Sequence, residues 1–107
     1  MSLTKKICNK VYERADRSCE LCDSRNGLQI HHIVKRSQTG KDELDNLILL
    51  CWEHHHGNNG VHGKNGHALD LRLKLDLQKK LFAEGWSEEE VRDYMGGKLY
   101  TKEVSDG

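Results

Sequence analysis

Long apolar runs are missing from this sequence, and none approaches the roughly 20 residues that a membrane span requires. The opening MSLTKK is too polar to form the apolar segment of a secretory leader. Aromatic side chains are scarce, at 6% of 107 residues, and apolar residues of all kinds reach only 36% against 32% charged. Repeats and low-complexity tracts are absent as well. A thin core follows, so something besides apolar burial must hold the chain together. Excess charge of either sign is also lacking: 17 Lys and Arg balance 17 Asp and Glu, and bulk charge makes no case for nucleic acid. The expectation is a soluble, intracellular, cytoplasmic protein that enters no membrane. A single domain over residues 1–107 is expected too, because the length leaves no room for a second core.

What the chain does hold is four cysteines and seven histidines. In a reducing compartment, cysteines point to a metal rather than to disulfides. All seven histidines fall within residues 1–67, which carry ten Lys and Arg against eight Asp and Glu, whereas residues 68–107 carry seven against nine. A divalent ion bound in the first part would raise the local potential where a phosphate could dock.

Along the chain, Ile7, Val11 and Ala15 recur at helical spacing with Cys8 beside them, predicting a short amphipathic helix over residues 4–15 with a basic polar face. Cys8, on the apolar side, is expected to be a buried thiol rather than a ligand. The CELC knuckle of Cys19 to Cys22 leads into a turn-like run, Asp23 to Gly27. The alternating, β-branched segment LQIHHIV predicts a strand over residues 28–34. Residues 35–45 show neither period and are expected to form a loop. Asn46 opens NLILLC, which suits a second buried strand, and CWEHHH begins a helix that GNNG interrupts. Leucines at 69, 71, 73, 75 and 77 alternate as in a strand, yet 69, 73, 77 and 81 share a helical face; the good helix formers among them favour a helix ended by Gly85. Ser87 followed by Glu90 is a capping-box pattern that predicts a last helix, and residues 101–107 are expected to fray.

Two pairs at knuckle spacing, Cys19 with Cys22 and Cys51 with His54, together complete the tetrahedral Cys3His set that structural zinc prefers. Such a staple supplies what the composition lacks. The 28 residues between the pairs carry His31, His32, Lys35, Arg36 and Asn46, cargo that a purely structural finger does not need. Neighbours on a strand point to opposite faces, so His31 and His32 should have different tasks. On a helix, His55 diverges by about 100° from the adjacent zinc ligand His54 and is free for a second ion. His31, His55 and His62 would form an open site suited to magnesium or manganese, although imidazoles also accept nickel, cobalt and zinc. His56 and His67 are read as incidental.

The ordered set IHHIVKRS, DNLILLC and WEHHHGNNGVHG, framed by CELC and CWEH, resembles the HNH endonucleases, or ββα-metal nucleases, in particular the small free-standing type of phages and prophages. The likeness covers about residues 8–67. It implies an α+β fold: a small zinc-stapled ββα-metal core, with a two-stranded antiparallel hairpin and a helix; the flanking N-terminal helix and the helical C-terminal extension over about residues 68–100 rest on composition and periodicity alone. It further implies that His31 and His55 hold the catalytic ion, that His32 is the general base, and that Asn46 braces the loop between the strands and so orients the base. His54 stands where the family often has Cys, and GNNG lengthens the path to His62.

The reading implied is a metal-dependent DNA endonuclease, a monomer or weak homodimer that nicks one strand per active site and leaves 5′ phosphate and 3′ hydroxyl ends. An imidazole, with a reference pKa of about 6.5, can act as a base near neutral pH. Lys35 and Arg36 would contact the DNA backbone, or form only a solvated basic turn. Two alternatives stand beside this reading: a non-catalytic zinc module that binds nucleic acid or a protein, and a metal-dependent hydrolase of another phosphoester such as RNA.

Overall fold

A computed structural model describes residues 3–38 and 40–101, without the Arg36 side chain. Of the expected frayed segment, residues 102–107 lie outside the described residues. The architecture is the expected α+β arrangement. Helix α1 (Lys5–Arg14) is followed by strands β1 (Gln29–His32) and β2 (Leu47–Leu50), the short helix α2 (Trp52–His56), the long α3 (His67–Ala83) and α4 (Glu88–Tyr94). The two strands pair antiparallel, with His31 opposite Ile48 and His32 opposite Leu47.

Thr4 starts α1 by accepting the Ile7 N–H on its hydroxyl at 3.2 Å. The helix buries Val11 completely against Leu47 and Leu49, side chains whose burial contributes about 1.5–3 kcal/mol each. Cys8 is only partly buried, not the enclosed thiol its spacing predicts. Arg14 ties the helix to the strands. Its guanidinium grips both oxygens of Glu20, at 3.0 and 2.8 Å, and donates to the carbonyls of Leu44 and Leu47. Glu20 in turn accepts the Leu49 N–H at 2.8 Å, so a residue inside the CELC knuckle satisfies the open edge of β2.

Strand β1 stops at His32, short of the Val34 end that its alternation predicts. Ile33 and Val34 turn instead into a cluster with Leu73, Leu77, Leu81, Val91, Tyr94 and Met95. The leucine run is helical because Leu73, Leu77 and Leu81 stack on one buried face. Ion pairs Asp70 with Lys74 and Arg72 with Asp76, one helical turn apart, support it. The Ser87 and Glu90 capping box forms as expected and starts α4. Asn46 does not open β2; it closes a 3-10 turn over Leu44–Asn46 and the strand begins one residue later. No described helix is long and apolar enough to cross a membrane.

Candidate metal centres and active site

The α1 to β1 connection and the start of α2 bring four soft donors together. Cys19, Cys22, Cys51 and His54 present ligand atoms all within 4.8 Å of one another. The Cys22 and Cys51 sulfurs are 3.7 Å apart, and His54 Nδ1 lies 3.6 Å from Cys19 Sγ and 3.4 Å from Cys51 Sγ. With zinc bonds near 2.3 Å to sulfur and 2.0 Å to nitrogen, a tetrahedron has edges of roughly 3.5–3.8 Å, so the donors fit that ion. Cys19 also accepts the Leu21 N–H on its sulfur at 3.4 Å. Burial alone would raise the Cys19 pKa, but hydrogen bonds from the backbone of Leu21, Cys51 and Cys22 and from the His54 ring outweigh it and bring the thiol to about 7. A thiolate is the form a metal takes.

One residue beyond His54, His55 turns away from the sulfurs and joins His31 and His62. Their ring nitrogens also lie within 4.8 Å of one another, with ring centres 5.4 Å apart for His31 and His55 and 4.7 Å for His55 and His62. His31 is 5% exposed, and its Nε2 is buried with no hydrogen-bond partner among the described residues. An unsatisfied buried nitrogen costs about 1–3 kcal/mol, and a cation at that point would relieve it. Burial first, then the neighbouring imidazoles, lowers both His31 and His55 to a pKa of about 4, keeping them neutral as ligands must be.

His55 has its other nitrogen occupied. Its Nδ1–H donates to Gln29 Oε1 at 2.6 Å, which leaves Nε2 with the lone pair. The same oxygen accepts from His56 Nε2 at 3.1 Å, so His56, read from sequence as incidental, touches the support of the site. His67 is exposed at the start of α3. His62 is carried by a loop in which backbone packs on backbone: its N–H donates to the His55 carbonyl, and a Cβ at Gly63 would overlap the Gly57 carbonyl oxygen.

His32 sits beside this cluster. A cavity of about 290 Å³ is lined by Ile30, His31, His32, Lys35, His55 and His62. Lys35 is thus next to the histidines and exposed, while the Arg36 side chain lies outside the described residues. His32 Nε2 donates to Asp42 Oδ1 at 2.8 Å. Asn46, wholly buried, accepts the Val34 N–H at 2.7 Å and donates to the carbonyls of Val34 and Lys41 at 3.0 and 2.9 Å. It therefore spans both ends of the loop between the strands. Gln29 and Asp42 went unnoticed in the sequence, where a lone Gln and a lone loop Asp carry no spacing signal. Asp70 did too; its carboxylate pairs with the buried Lys74 at 2.8 Å and opposes the effect of burial on His31.

A short antiparallel hairpin and helix thus carry one Cys3His cluster and one histidine cluster, each able to hold a metal ion. In agreement, residues 19–60 match the HNH endonuclease family model, which bears out the resemblance over that stretch. The chain is also similar to the probable mobile endonuclease C of Enterobacteria phage T4, 31% identical over 51 residues, or 48% of this chain and 24% of that protein. The chain thus spans about a quarter of that relative. No solved structure matches it. His62, α3 and α4 lie beyond the family match.

Proposed function

We propose that the chain is a metal-dependent DNA endonuclease acting as one domain within the cell, with Cys19, Cys22, Cys51 and His54 on a structural zinc and His31, His55 and His62 on a catalytic magnesium or manganese. The observation that carries this reading is the buried His31 Nε2, without a hydrogen-bond partner among the described residues, converging with His55 and His62 next to His32. His31, His55 and His62 would hold a divalent ion, which would supply positive charge beside the scissile phosphate. Neutral His32 takes the proton from an attacking water. Asn46 keeps the loop closed, so that the base faces the cavity. Lys35 and Arg36 approach phosphates and set register without reading sequence. One such centre cuts one strand, so a monomer or weak homodimer nicks duplex DNA and leaves 5′ phosphate and 3′ hydroxyl ends.

Supercoiled plasmid incubated with a divalent ion, with and without chelator, tests this reading. The wild type should convert plasmid to the open circle, and His32→Ala should not, while keeping its zinc and its DNA binding. Full nicking by His32→Ala would end the assignment of the base. No nicking with any ion would leave the chain as a binding module.

A further inference from the structure

We infer that Asp42 is a positioning residue for His32, holding the ring so that Nδ1 is the nitrogen that accepts the proton. The inference deepens the nuclease reading above and rests on His32 being its base. The carboxylate of Asp42 can only accept, so the His32 Nε2 that lies 2.8 Å from its Oδ1 must carry the hydrogen. An imidazole with its hydrogen on Nε2 has its lone pair on Nδ1. The contact fixes the tautomer and the rotation of the ring together, and it places a negative charge where the imidazolium formed by proton transfer is stabilised.

The fold delivers Asp42 to this point through Asn46. That side chain has no hydrogen bond to His32; it holds Val34, two residues after His32, and Lys41, one residue before Asp42. The loop is thereby drawn closed with residue 42 back over residue 32. The route from Asn46 to the base runs through Lys41 and Asp42. The Asp42 side chain is 36% exposed, so its replacement removes no core packing. A merely structural surface pair of this kind would contribute little, and catalysis would then be indifferent to it.

The test uses the full-length, zinc-loaded chain with Asp42→Ala, Asp42→Asn and Asp42→Glu. In Asp42→Ala, kcat for plasmid nicking should fall about 10- to 100-fold, the loss seen when an orienting partner of an imidazole is removed, with KM and zinc content unchanged. Asp42→Glu should recover part of the rate. Asp42→Asn should recover none, since its amide can also offer a donor and so admits the other tautomer. Nitrogen-15 shifts of the His32 ring provide a readout that does not depend on cleavage: limiting values for a single Nε2–H tautomer in the wild type, moving toward the averaged values of an unheld ring in Asp42→Ala. Averaged shifts in the wild type, or wild-type kcat in Asp42→Ala, would overturn the proposal. A wild type that cuts no DNA yet shows limiting shifts that vanish in Asp42→Ala would refute the nuclease reading and support the hold of Asp42 on the ring.

Discussion

The amide of Asn46 clasps the backbone of Val34 at both ends, accepting its N–H at 2.7 Å and donating to its carbonyl at 3.0 Å. Truncation to Ala would strand those two groups and the Lys41 carbonyl together. The two Val34 groups are buried and cost about 1–3 kcal/mol each when unsatisfied, so Asn46→Ala should lose roughly 2 kcal/mol or more of stability. Asn46→Asp should fare no better, because a carboxylate would then face two carbonyl oxygens. Urea midpoints of the zinc-loaded proteins measure the loss, and a change under about 0.5 kcal/mol, typical of an indifferent surface position, would contradict the clasp.

Removal of one zinc donor should be more severe. Zinc binding in small domains is worth about 10–16 kcal/mol, more than the roughly 5–15 kcal/mol by which a whole domain is stable. Cys22→Ser should therefore both lose the metal and unfold. Elemental analysis should give one zinc per wild-type chain prepared without chelator, and circular dichroism should show the variant's helices lost. A folded, zinc-free variant would mean that apolar burial around Val11 and around Leu73, Leu77 and Leu81 suffices alone.

The parts of the fold that could be read in advance are those with a local period or a local pairing. The two knuckle pairs, the capping box of Ser87 and Glu90, and the helix of Leu73, Leu77 and Leu81 each repeat a pattern within a few residues. Cys8 misled because the α1 side chains that pack on Leu47 and Leu49 are Ile7, Val11 and Tyr12, and Cys8 is only partly buried beside them. Gln29 and Asp42 were illegible for another reason: each meets its histidine only after β1 and the following loop have folded, 26 and 10 residues away in sequence. His31, His55 and His62 could be nominated singly, but their convergence depends on backbone coiling in the glycine-rich loop.

That loop gives a sharp expectation. A methyl group at Gly63 would collide with the Gly57 carbonyl, a backbone atom that cannot swing aside. Gly63→Ala should open the coil, displace His62 and weaken uptake of the second ion, while the zinc cluster, whose donors all precede the loop, stays loaded. Calorimetric titration with manganese after zinc loading distinguishes the two. Unaltered manganese affinity would show that His62 is not a ligand.

Gln29 holds His55 in the tautomer that leaves Nε2 open. Hydrogen-bonded partners of ligating histidines typically contribute about 10–100-fold in metal affinity. Gln29→Leu, which keeps the bulk and removes the acceptor, should weaken the second ion by that factor and leave the zinc in place. If the same titration shows no loss, the ring needs no such support.

The depressed pKa values of His31 and His55 also predict how stability varies with acid. Both titrate at about 4 in the folded chain and at about 6.5 when unfolded. Between those values the unfolded chain binds more protons, so stability rises with pH across this window. It is complete above about pH 6.5, is lost as pH falls toward 4, and changes no further from this source below that. Each histidine contributes a slope approaching about 1.4 kcal/mol per pH unit. Protonation of the zinc thiolates adds to the slope in the same direction, but equally in a variant that keeps the zinc site. His31→Gln should therefore flatten the curve of urea midpoint against pH by about one proton relative to the wild type, with no second ion added. Parallel curves would mean that His31 is as well solvated as in the unfolded chain, and the buried nitrogen on which the proposed metal site rests would not exist.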